Sequence, residues 1–166
     1  SWKNGEWWTP AVWNQNAASF NAKGNTTVSG MQYKSEEGLT LAFQNGWEKE
    51  SYTNGKIWQV ATLRPGKYRL EVTYAYTMVV SDAGNFISAL MAKGNSESDI
   101  PNVADIEQLN GVCAIYDKAG TNDDSGVLVT PSFEVTETTD VVIGFLTSLA
   151  KGNSYFKVTE LKLILE

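Results

Sequence analysis

Between Lys67 and Thr77 the chain alternates without a break. Tyr68, Leu70, Val72, Tyr74 and Tyr76 occupy every second position, with Arg69, Glu71, Thr73, Ala75 and Thr77 between them. Successive side chains of an extended strand point to opposite faces, so this period predicts a β-strand with one apolar and one more polar face. Pro65-Gly66 just before it predicts a turn, because Pro presets φ and Gly accepts a positive one. Such a strand requires hydrogen-bonding neighbours and a second layer over its apolar face.

The rest of the sequence supplies candidates for both. Lys56 to Leu63 reads as the hairpin partner of this strand. Leu39–Gln44, Phe86–Ala92, Val112–Tyr116, Val127–Val135 and Asp140–Leu149 read as further strands. In the last, Tyr155–Leu165, Phe156 and Val158 are apolar at even positions and Leu161, Leu163 and Leu165 at odd ones. That change of phase predicts a bulge near Thr159-Glu160. One helix is expected, one or two turns within Pro101–Leu109, where Val103, Ile106 and Leu109 recur every three residues. Ala-Lys-Gly-Asn occurs three times at uneven spacing, which indicates shared turn chemistry rather than a solenoid. No linker divides the 166 residues, so residues 1–166 are expected to form a single all-β domain, an antiparallel β-sandwich.

Composition removes whole classes of chemistry. There is no His, hence no Ser-His-Asp or Cys-His catalysis and no His-ligated zinc. The one cysteine, Cys113, lies in strand-like sequence and reads as a small buried hydrophobe. A net charge of −6 makes polyphosphate backbones poor partners. No apolar run is long enough to span a membrane. The chain begins at Ser1 without a signal peptide, as either a cytosolic protein or a trimmed piece of a longer exported one would.

The aromatic residues are distributed unevenly. Trp2, Trp7, Trp8 and Trp13 crowd a polar N-terminal stretch, and Trp47 follows the turn signal Asn45-Gly46, whereas Trp58 lies in strand-like sequence. Loop tryptophans either plug the sandwich or offer a flat face to a ligand such as a sugar ring, with neighbouring amides taking the hydroxyls. The carboxylates Glu36, Glu37, Glu48, Glu50, Asp123 and Asp124 sit on polar stretches, Asp123-Asp124-Ser125-Gly126 reading as a turn. A glycosidase needs two carboxylates about 5–10 Å apart, but charged turns are also the ordinary surface of a sandwich. Asp117–Asp124 lacks EF-hand spacing and no motif supports calcium; Glu160, at the inferred bulge where a side chain can be re-aimed, is the position singled out for one, and no metal ligands are assigned. Asn25-Thr26-Thr27 matches a glycosylation acceptor.

Two segments carry a resemblance. Thr138-Thr-Asp-Val-Val-Ile-Gly-Phe145 followed by Lys151-Gly-Asn-Ser-Tyr-Phe-Lys-Val-Thr-Glu-Leu-Lys-Leu-Ile-Leu165 looks like the closing strands of galactose-binding-like β-sandwich modules. Asn54-Gly-Lys-Ile-Trp-Gln-Val-Ala-Thr-Leu-Arg-Pro-Gly-Lys-Tyr-Arg-Leu70 is similar to their central hairpin. The whole resembles C-terminal domains of surface lipoproteins from gut bacteria, found near polysaccharide-utilisation machinery. The resemblance implies a jelly roll of eight or nine strands, export to the bacterial cell envelope, and a carbohydrate-binding or adhesion role. The expected function is therefore a non-catalytic carbohydrate-binding module, with Trp8, Trp47, Trp13 and Tyr155 as binding residues and no cofactor. A protein-binding adhesion domain is the alternative, and an enzyme built on carboxylates and Tyr ranks third.

Overall fold

The computed structural model describes residues 4, 7–8, 12–20, 29–45, 51–150 and 152–166. Two antiparallel sheets face each other. The first contains β1 (Trp7–Trp8), β3 (Ser29–Lys34), β4 (Gly38–Asn45), β12 (Ser154–Leu165) and β6 (Gly66–Thr77) in that order. On the far edge of β6, β9 (Asp124–Val129) and β10 (Phe133–Val135) pair with successive parts of the strand. The second sheet runs β2 (Asn14–Gln15), β5 (Tyr52–Leu63), β11 (Thr139–Leu149), β7 (Phe86–Lys93) and β8 (Gly111–Ile115). A single helical turn, α1 (Ala17–Phe20), follows β2. The expected antiparallel β-sandwich is the fold, with seven and five strands in its sheets among the described residues. The excess over eight or nine comes from two- and three-residue strands.

β6 buries the face its alternation predicts: Tyr68, Leu70, Val72 and Tyr74 lie in the core. They meet Ile57, Ile87, Ala89, Met91, Val141, Ile143 and Phe145 of the opposite sheet. The phase change in β12 is the predicted bulge, since pairing with β6 shifts between Val158 and Glu160. Every residue from Val141 to Leu149 is buried, because β11 is central and both its faces are covered. Its outer face lies under residues 100–109, where Ile100, Val103, Ile106 and Leu109 pack on Trp58, Val142 and Leu146. The expected helix within this segment is a 3₁₀ helix over Val103–Gln108, kinked at Asp105.

Three expectations need correction. Lys56–Leu63 is a strand but not the hairpin partner of β6. It pairs with β11 and β2, so Arg64-Pro65 crosses from one sheet to the other. Val127–Val135 is two strands, broken around Pro131, which has no N–H for a ladder. Asp124–Gly126, read as part of a turn, begins β9. Two of the Ala-Lys-Gly-Asn copies place their Gly at positive φ, Gly94 at 131° and Gly152 at 149°, as turn chemistry requires; the first copy lies outside the described residues. Cys113 is partly buried in β8 against the Trp58 cluster, and burial pushes its thiol pKa up.

Candidate functional site

With residues 100–109 over the second sheet, the seven-stranded sheet presents its outer face near one end of the sandwich. There it carries a groove of about 510 Å³, lined from β3, β4, β6, β12 and their connections. Pairing of β12 with β4 sets Tyr155 opposite Gln44, Phe156 opposite Phe43 and Lys157 opposite Ala42. Phe156 and Phe43 are in the core, so the period of two puts Tyr155, Lys157 and Gln44 outside. On its other side Tyr155 exchanges both backbone hydrogen bonds with Met78, at 2.7 and 2.9 Å.

Tyr76 reaches the same groove by a different route. Continued alternation would send it into the core after Tyr74. Instead the pairing with β9 shifts between Tyr74 and Thr77, and Tyr76 adopts a φ of 51°. Left-handed backbone is strained for a residue with a Cβ, and a bulge is where it is tolerated. The phase flips: Thr77 becomes fully buried, accepting at Oγ1 the Lys157 N–H, while Tyr76 stays 37% exposed beside Tyr155 in the groove lining. Asn153 and Asp123 complete this end. Asp123, also at positive φ, precedes Asp124, whose Oδ2 accepts a 2.7 Å hydrogen bond from the Tyr116 hydroxyl. Tyr116 packs edge-on against Tyr74, 5.2 Å between centroids, so the core itself holds the start of β9. Burial and the Asp124 carboxylate push the Tyr116 pKa well up and keep its proton in place to donate.

The other wall is the β3–β4 turn with Lys34, Glu36 and Glu37. Lys157 is 2% exposed, with Nζ 2.6 Å from Glu37 Oε2 and 5.1 Å from the centre of the Tyr155 ring. The ion pair ties the turn to the sheet. A further hollow of about 260 Å³ continues along the turn, past Ser35, whose N–H donates to Asn4 Oδ1.

Burial lowers the Lys157 pKa from the ordinary lysine value, and Glu37 opposes that shift. A depressed folded value means the unfolded chain binds more protons in the window between the two. Stability therefore rises with pH there and falls as pH drops through the folded value. Glu37→Gln removes the opposing charge and widens the window downward. We expect it to cost about 2–3 kcal/mol at pH 7, less than a fully buried pair because Glu37 is partly exposed. The loss should shrink by pH 10, where Lys157 is free to be neutral. Urea unfolding at both pH values reads this out; an equal loss at both would show that the Lys157 charge is not the cause.

Of the residues singled out in the sequence, the structure brings Tyr155, Glu36, Glu37 and Asp123 to this groove. Trp13 does not line it; it is half-buried and packs on Phe145, 6.2 Å between centroids. Trp8 lies in β1 opposite Met31, and its side chain is outside the described residues. Trp47, Glu48 and Glu50 also lie outside them. Glu160 stands at the bulge but faces solvent and pairs with Lys162 at 3.2 Å. Among the described residues no three potential ligands gather for a metal ion. Sequence reasoning missed Tyr76, Lys34, Gln44, Asn153 and Lys157. Tyr76 had a misleading signal, its place in a clean alternation. The others are polar residues whose convergence depends on strand register.

The fold is similar to that of a solved carbohydrate-binding module. TmCBM61, in complex with β-1,4-galactotriose, superimposes with a TM-score of 0.54 at 12% identity, covering 94% of this chain and 90% of that one. The xylan-binding module CBM15 aligns over 93% of this chain and 90% of its own at 14% identity, with a TM-score of 0.45. The first likeness shows a shared β-sandwich, in agreement with the galactose-binding-like fold expected from the sequence. Comparison with curated proteins gives no sequence match. The family described as "Domain of unknown function (DUF5013)" matches residues 1–144, and the chain belongs to that family.

Proposed function

We propose that this domain is a non-catalytic carbohydrate-binding module that holds a glycan in the outer-face groove of its seven-stranded sheet. The exposure of Tyr76 beside Tyr155, which the β6 bulge produces, carries this assignment. Two phenol rings at one end of a polar groove offer faces to sugar C–H groups, and the amides of Gln44 and Asn153 offer donors and acceptors to hydroxyls. The likeness in fold to TmCBM61 supports the assignment. Glu37 is engaged with Lys157 and Asp124 with Tyr116, which gives these carboxylates structural work. Export and display at the bacterial cell surface, with polysaccharide as the partner, fit this role and the sequence resemblance.

Isothermal titration against soluble plant, host and microbial polysaccharides should give saturable binding to one glycan class. The expected Kd lies between about 1 μM and 1 mM, or roughly −8 to −4 kcal/mol. A flat response across the panel, together with a stable self-association or a captured protein, would instead favour the adhesion-domain alternative.

A further inference from the structure

The groove is charged as well as aromatic, and the balance has a sign. Two ammonium groups, Lys34 and Lys157, stand against three carboxylates, Glu36, Glu37 and Asp123. Lys157 is committed to Glu37 at 2.6 Å, and Lys34, which lines the same turn wall, is near enough to Lys157 to lower its pKa, so both cations lie on the turn side of the groove. Glu36 and Asp123 are exposed and make no ion pair among the described residues. Strand order separates them: Glu36 is on the β3–β4 turn, and Asp123 precedes β9, which borders β6. A glycan lying on Tyr155 and Tyr76 therefore runs between two carboxylate walls.

We propose that this groove selects neutral glycans and rejects uronate-bearing ones, with Glu36 and Asp123 as the discriminating residues. The inference rests on the glycan-binding reading of the groove. A uronate placed between these walls meets like charge at short range, which costs binding and specificity. Both carboxylates reach solvent, so the rejection weakens once the Debye length falls well below its value of about 8 Å at physiological salt.

The test uses glucuronoxylan, polygalacturonan and alginate, each beside its carboxyl-reduced counterpart, in which uronates have become neutral hexoses. At least one reduced polymer should bind, and its uronate parent should bind about tenfold or more weakly at low salt. The ratio should fall at 0.5 M NaCl. It should also fall toward one in Glu36→Gln/Asp123→Asn, where Asn suits the left-handed backbone at position 123. Equal or tighter binding of a uronate polymer by the parent protein overturns the inference and leaves the groove a glycan site. A ratio unchanged in the double variant overturns the role of these two residues. If none of these polymers nor any of the wider neutral panel binds, the glycan-binding reading itself falls.

Discussion

Gly144→Ala should lower stability by about 3 kcal/mol, at the upper end of overpacking costs. Gly144 sits in the middle of β11, opposite Trp58 on β5 and Leu90 on β7. A Cβ there would stand 2.7 Å from Trp58 Cα, 2.9 Å from Trp58 Cβ and closer still to the Ile57 carbonyl oxygen. Those atoms are backbone or fixed to it, so relief requires the central pair of the five-stranded sheet to part. For a domain of this size the melting temperature should drop by roughly 6–12 °C. Gly38→Ala is the comparison. Gly38 has a φ of 76° but open space around the missing Cβ, so only backbone strain of about 1–2 kcal/mol is expected. Thermal unfolding followed by circular dichroism separates the two. A Gly144→Ala melt no lower than that of Gly38→Ala would mean that the β5–β11 approach is looser than described.

Tyr155→Ala and Tyr76→Ala should each weaken glycan binding by tenfold or more, about 1.4 kcal/mol, and together abolish it. Both rings are partly exposed, so little core packing is lost. Tyr155→Ala also removes the ring beside the Lys157 ammonium, a contact worth about 1 kcal/mol, and a small fall in melting temperature accompanies it. Tyr155→Phe keeps the face and should keep most of the affinity. Trp13→Ala should do the reverse. It strips a half-buried indole from Phe145 and destabilises the fold, while the folded fraction still binds. Titration with whichever polysaccharide the parent protein binds, beside a melt of each variant, decides between them. Undiminished affinity in the Tyr76/Tyr155 double variant would remove the groove from the account.

How much of this was legible in the sequence follows from the range of each interaction. The buried face of β6 needs only local alternation, and it is where Tyr68 to Tyr74 placed it. The β12 bulge is also local, because Phe156 and Leu161 cannot share a face without an extra residue between them. The partner of β5 is not local. Its register with β11 joins Leu63 to Thr139, and no turn signal encodes that pairing, whereas Pro65-Gly66 suggested a hairpin with β6. The site suffers most from range. Lys157 meets Glu37 across 120 residues of chain. Tyr76 leaves the core because β9 pairs with a slip, and a non-glycine residue at positive φ writes nothing into the sequence. Tyr155 was singled out within a recognisable closing segment, without its surroundings being visible, and the structure places it in the groove lining.

The central claim is a location, so the most direct measurement maps one. Backbone amide shifts followed by NMR during titration with a binding oligosaccharide should move first and furthest around Gln44, Tyr76, Asn153 and Tyr155, and Asp123 should move with them. The amides near Trp13 and those of residues 100–109 should stay still. Shifts centred on the Trp13 end or on residues 100–109, with the Tyr76–Tyr155 groove silent, would contradict the account.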